Sequence, residues 1–235
     1  MAQKKLLRFA QIKEFKNVLE KPTNMQGQWS TFFKNDNPII LELACGRGEY
    51  TIGLAQLYPS KNFIGVDIKG NRMYIGAKKA IDNKLNNAAF LRAEIETISD
   101  YFLPSEIDEI WITFPDPQLR ISKSKKRLTH PRFLRRYLKI LKTNNPIHLK
   151  TDSPNLFNFT KKVIDMYGLQ LLQESADVYA VNECVEELKI KTHYESLDIA
   201  GSKKIYYLQF SLPTSIADFD EALQKILVAE NDLQQ

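Results

Sequence analysis

Cysteine is scarce in this 235-residue sequence: Cys45 and Cys184 are the two, far apart and in no CxxC pair. The three histidines, His130, His148 and His193, are widely separated and lack metal-ligand spacing. No disulfide framework and no bound metal are expected from such a set. Long apolar runs are missing too. No stretch approaches the roughly 18 residues of a membrane span, and the opening MAQKKLLRFAQIKEF is broken by charge every few residues, unlike the core of a signal peptide. A cytoplasmic protein with no membrane association is expected, and nothing calls for an obligate protein partner. The last absence is local: between Pro117 and Thr151 there is no Asp or Glu, while 11 Lys or Arg crowd the segment. The remainder carries 22 basic against 28 acidic residues. An acidic body with one basic segment gives a local field for polyanions, of which a phosphate backbone is the commonest in a cytoplasm.

What is present is an alternation. PIILELA, NFIGVDI, AAFLRAE, IDEIWITF and PIHLKTD are strand-length apolar runs. Helical periodicity fills residues 49–58, 71–84, 131–142 and 155–167 between them. That order specifies an α/β architecture, a parallel sheet with helices on both faces. After residue 168, LQLLQES and KKIYYLQFSL read as a closing antiparallel pair. Residues 1–35 read as a basic, partly ordered N-terminal arm, 36–213 as the main domain, and 214–235 as an acidic helix and tail.

Ligands of an open parallel sheet bind outside the carboxyl ends of its strands. The first strand runs into ELACGRGEYT, where Gly46 and Gly48 permit a sharp turn and close backbone approach. Nineteen residues beyond Gly48, the second strand ends in GVD, which places Asp67 where an acid holds ribose hydroxyls. A dinucleotide fingerprint needs a third glycine at position 51, which is Thr51, and Glu42 would repel a pyrophosphate. The same carboxylate suits the ammonium of S-adenosylmethionine, a cofactor without phosphate. The third strand ends in RAEIE, where Glu94, with Ile95 beside it, is a candidate partner for adenine.

Strand four ends in ITFPDPQLR. The prolines on either side of Asp116 fix φ at residues 115 and 117, so that one carboxylate is held in a narrow range of directions. Downstream, Phe133, Leu134, Tyr137, Leu138 and Leu141 form an apolar stripe, and Arg132, Arg135, Arg136 and Lys139 follow helical spacing on the other side.

Taken in order, W29xxFF, NDNPIILELACGRG, GVD, FPDP, KKRLTHPRFL, LKTD and THYES with the following Gly201 resemble the tRNA (guanine-N7-)-methyltransferases of the bacterial TrmB type, over roughly residues 29–210. The resemblance implies a Rossmann-like class I methyltransferase fold with a mostly parallel seven-stranded sheet and an antiparallel C-terminal strand pair. It implies methyl transfer from S-adenosylmethionine to N7 of the guanosine at position 46 in the tRNA variable loop. Glu42, Asp67, Glu94 and Asp116 would contact the cofactor, with Asp116 also catalytic. Arg120, Asp152, Thr192, His193, Tyr194 and Glu195 would contact the substrate. Ser122, Lys123, Ser124, Lys125, Lys126 and Arg127 would form the tRNA backbone loop. The sequence departs from the family's DPWPKKRH at DPQLRISK: Gln118 stands for a Trp, Arg120 for a Lys, and Lys123 for a His. Ala44 replaces a more usual Gly, and Glu94 a more usual Asp. The rival readings are a class I methyltransferase with another target and a noncatalytic RNA-binding protein on the same fold. Amino-group methylases of this fold show a DPPY-like signature where this chain has FPDP.

Overall fold

The computed structural model describes residues 7–8, 10–180, 185–197 and 204–232, so Cys184 and Gly201 lie outside the described residues. Short runs rich in apolar residues, buried on both faces in the central strands, build one sheet of β1 (Val18–Glu20), β2 (Ile39–Leu43), β3 (Asn62–Val66), β4 (Ala88–Arg92), β5 (Glu109–Thr113), β6 (Pro146–Thr151), β7 (Gln170–Ser175) and β8 (Tyr206–Ser211). Their spatial order is β1-β4-β3-β2-β5-β6-β8-β7. The six strands from β1 to β6 pair in parallel. The last two close the sheet antiparallel, β8 lying between β6 and β7. The order reverses at β2, which pairs with β3 on one side and β5 on the other. At that switch point the carboxyl ends of neighbouring strands diverge and leave a crevice.

Two expectations are corrected. The sheet has eight strands rather than seven, because Val18–Glu20 adds a parallel edge strand beside Phe90–Arg92. Residues 18–33 are also not an arm. Trp29 is fully buried, stacks on Phe102 with centroids 5.2 Å apart, and donates its Nε1–H to the carbonyl of Tyr101 at 2.9 Å. Burying an indole this way contributes roughly 3 kcal/mol. A three-residue strand carries too little period to be read from sequence.

The helices that matter to the site are α1 (Trp29–Phe33), α2 (Glu49–Leu57), α3 (Gly70–Asp82), α4 (Pro131–Tyr137), α5 (Pro154–Met166), α6 (Glu186–Lys189), α7 (His193–Ser196) and α8 (Asp220–Asp232). Helices α1, α4, α5 and α8 cover one sheet face, over Leu41, Ile112 and Leu149. Helices α2, α3 and α6 cover the other, over Ile40, Phe90 and Trp111. Close approach of α2 and α3 depends on two glycines. A Cβ on Gly76 would lie 2.4 Å from the carbonyl oxygen of Arg47, and one on Gly48, at φ 72°, would lie 2.4 Å from Phe90.

Candidate active site

The turn after β2 is shaped by a carboxylate on each side. Gly46 donates its N–H to Asp67 Oδ2 at 2.9 Å, and Lys69 donates its own to Oδ1 at 2.7 Å. Asp67 thus ties the Gly turn to the start of α3, and each oxygen keeps a lone pair directed elsewhere. Glu42 sits deeper. Its Oε2 accepts from the N–H and hydroxyl of Thr51 at 2.7 and 2.5 Å, and its Oε1 from the Thr113 hydroxyl at 2.8 Å. Burial pushes its carboxyl up to about 7, against the opposing effect of those hydrogen bonds. Thr51, read in the sequence as a missing third glycine, is the residue that anchors this acid.

After β5 the chain turns through Phe114–Gln118, with both end residues in the left-handed region, at φ 46° and 47°. Asp116 lies exposed between them, its Oδ1 accepting from Gln118 N–H at 3.0 Å. The basic loop that follows is a 3-10 helix, Ile121–Lys126. Three residues per turn put Ile121, Ser124 and Arg127 on one side. This corrects two of the expected tRNA contacts. Ser124 is buried, its hydroxyl bonding Gln224 at 3.0 Å. Arg127 is buried as well, stacked over Phe159 and donating to the carbonyl of Gln118 at 3.2 and 3.3 Å. It fastens the Asp116 turn and does not face solvent. Ser122, Lys123, Lys125 and Lys126 remain exposed.

On the substrate side, β6 is followed directly by Asp152. The cap of α5 is Ser153, whose hydroxyl accepts from Leu156 N–H at 3.3 Å, so the Asp152 carboxyl is not engaged as a cap. Its partial burial, and secondarily the charge of Glu195, raise its affinity for a proton. Thr192 and Glu195 form a capping box on α7, with Thr192 Oγ1 accepting from Glu195 N–H at 3.2 Å. The carboxylate of Glu195 turns inward to Lys150, 3.1 Å away.

These elements surround a cleft of about 700 Å³. Of the residues singled out from sequence, Gly46, Asp67, Glu94, Ile95, Asp116 and Asp152 line it, together with Thr192, Tyr194 and Lys126. Glu42, Gly48, His193 and Glu195 do not line it, and Arg120 lies exposed outside it. For Glu42 and Glu195 the cause is the same: each carboxylate is engaged by donors within the protein, Thr51 and Thr113 for the first, Lys150, Tyr179 and Thr192 for the second. The sequence reading missed Arg47, Lys69 and Arg72, which line the cofactor side. Arg72 also stacks on the Tyr194 ring at 5.5 Å, linking the two sides of the mouth. Lys150 was missed as well, although a cation inside the apolar run PIHLKT is a visible signal. Among the described residues no cluster has metal-binding composition, and no helix is long and apolar enough to cross a membrane.

Residues 36–208 match a family model described as "Putative methyltransferase". The chain is 45% identical over 222 residues to the tRNA (guanine-N(7)-)-methyltransferase of Bacteroides fragilis, covering 91% of this chain and 87% of that one. It is 47% identical over 200 residues to the protein of the same name from Porphyromonas gingivalis, covering 84% and 81%. Among solved structures, the 16S rRNA methyltransferase KamB superposes with a TM-score of 0.61 at 16% identity, over 84% of this chain and 99% of that one. That last likeness speaks for the fold alone.

Proposed function

The chain belongs to the tRNA (guanine-N7-)-methyltransferase family, and from that premise we propose that its cleft binds S-adenosylmethionine and methylates N7 of the guanosine at position 46 in the tRNA variable loop. The observation that carries this reading is the distribution of acids in one cleft, with Asp67 beside the Gly turn, Glu94 next to it, and Asp116 and Asp152 at the opposite side. Asp67 keeps unused lone pairs for two ribose hydroxyls, and the Ile95 segment borders the space an adenine would take. Of the charged lining side chains, Asp67, Glu94, Glu49, Glu96, Asp116 and Asp152 outnumber Arg47, Lys69, Arg72 and Lys126. An excess of carboxylates favours a cationic ligand over a pyrophosphate. Glu42 acts from behind the wall: it pins Thr51 and Thr113, and contributes negative charge at short range when ionised.

When bound, S-adenosylmethionine supplies an electrophilic methyl group. Guanine N7 has a free lone pair in the neutral base, so no residue need remove a proton before attack. The work left to the protein is alignment, and compensation of the positive charge that the purine gains. Asp116 suits both, since its free oxygen lone pairs can accept from guanine N1–H and N2–H. Arg127 and the two prolines hold that carboxylate in place, while Asp152, Thr192 and Tyr194 border the base from the other side. Lys123, Lys125 and Lys126 meet the phosphates. A tRNA substrate puts this activity in the cytoplasm.

The test is to incubate unmodified tRNA with the protein and cofactor, then map the product nucleoside by mass spectrometry. 7-Methylguanosine at position 46 is expected; a methyl group on another base or position overturns the assignment. In the same assay Asp116→Ala should lower kcat by about a hundredfold or more, as loss of preorganised electrostatics does. A loss of only a few fold would remove Asp116 from the chemistry.

A further inference from the structure

Lys150 is completely buried, on a strand whose neighbours are apolar. Its ammonium donates to the carbonyls of Leu188 at 2.8 Å and Ile190 at 3.0 Å, and meets Glu195 Oε2 at 3.1 Å. The rings of Tyr50, Phe114 and Tyr179 surround it at 5.3 to 5.6 Å. Tyr179 in turn hydrogen-bonds Glu195 through its hydroxyl. The partners therefore come from three separate segments beside the cleft. Tyr50 belongs to α2, which carries the Gly turn. Phe114 opens the Asp116 turn, and its N–H also donates to the Lys150 carbonyl at 2.8 Å. Leu188, Ile190 and Glu195 belong to the segment that presents Thr192 and Tyr194.

An apolar side chain of similar volume would fill such a site without the cost of desolvating a charge, and buried ion pairs add little net stability over hydrocarbon. What an ammonium adds is direction: three short bonds define where the 188–195 segment sits relative to the Asp116 turn. We propose that Lys150 is a positioning residue that assembles the guanine-facing wall, and that Glu195 acts through Lys150 and not by contact with the base. This rests on the methyl-transfer reading of the cleft.

A double-mutant cycle tests it, with melting curves to establish folding. Lys150→Met should lower kcat/KM for tRNA by about 10- to 100-fold, the cost of displacing a positioned group, while the dissociation constant for S-adenosylmethionine stays within about threefold. Glu195→Ala should lower kcat/KM comparably. The double variant should be no worse than Lys150→Met alone, because residues acting as one unit are not additive. Losses that multiply would mean Glu195 touches substrate independently and would overturn the proposal. So would a Lys150→Met protein within threefold of wild type. Lys150→Gln, whose amide can still donate to one carbonyl but cannot pair with the Glu195 charge, is the second variant should Lys150→Met fail to fold; a loss of more than threefold is expected of it, and activity within threefold of wild type overturns the proposal. Wild-type protein in parallel separates the two ideas, since its failure to methylate tRNA guanine would fault the functional reading instead.

Discussion

The two faces of the sheet differ in kind. The face under α1, α4, α5 and α8 is hydrocarbon, with Leu41, Leu43, Ile110, Ile112 and Leu149 packed on aromatic side chains. The face under α2, α3 and α6 carries ionisable groups at alternate positions of the same strands. Glu42 is there with Thr51 and Thr113. Lys150 is there with Glu195, and His148 lies between Glu109 and Tyr207 while stacking on Trp111 at 4.0 Å. Period two makes this division possible, since one step along a strand exchanges one face for the other. The first face is apolar core, which reaches the cleft only through apolar groups such as Ala93 and Phe133; the second carries the buried polar groups that brace the cleft from behind. Leu149 and Lys150 are adjacent residues that belong to opposite roles.

Leu149→Ala is the sharpest way to break that division. Removing a fully buried leucine should cost about 2–5 kcal/mol in urea unfolding. Methyl transfer per folded molecule should stay within about twofold of wild type, assayed well below the melting temperature. If Leu149→Ala instead lowered kcat/KM at full folding, the two faces would not be functionally separate.

Glu42 makes the same point through pH. Its carboxyl is raised from an ordinary 4.5 to about 7 by burial. The unfolded chain releases this proton near 4.5 while the folded protein keeps it to about 7, so the unfolded state binds fewer protons in between. Stability from this group is complete below 4.5 and falls as pH rises through 7, by about 3 kcal/mol in total. Glu42→Gln removes the titration, and its amide can still donate to the oxygen of Thr113. Relative to this variant, ligand-free wild type should lose stability between pH 4.5 and 7 in urea midpoints. Parallel curves would mean that Glu42 stays ionised when buried.

How much of this was legible in the sequence follows from the distance over which each feature is encoded. The Gly turn, Asp67 and the FPDP turn are local, and their strand-end positions follow from short apolar runs and prolines. All of these except Gly48 reach the cleft. Ser124 and Arg127 were misread because a charge run says nothing about period, and the 3-10 geometry of three residues per turn sends every third side chain inward. Arg127 meets Phe159 and Gln118, and Lys150 meets Glu195, 45 residues away in sequence. No short window along the chain contains the pairs with Phe159 and Glu195, and the Arg127–Gln118 pair, nine residues apart, depends on an irregular turn that no periodicity marks. The strand at Val18–Glu20 failed for the opposite reason, being too short to show any pattern.

The smallest expected effect sits where the two faces meet the cleft. Ala44, Phe114 and Gln118 are non-glycine residues at positive φ, and all three line the cleft. At Ala44, φ is 58°, a conformation that costs an L-residue about 1–2 kcal/mol and costs glycine nothing. Glycine loses more entropy on folding, by about 0.5–1 kcal/mol, so Ala44→Gly should stabilise the protein by a net 1 kcal/mol or less. For a chain of this length that is a rise of about 2–4 °C in Tm at most. The turn already has its geometry, fixed by the Gly46–Asp67 and Thr51–Glu42 bonds, so cofactor affinity measured by calorimetry should not change. If affinity instead fell while Tm rose, the strain at Ala44 would belong to binding: an alanine holding the turn rigid would be traded against stability on the polar face, a trade absent beneath Leu149.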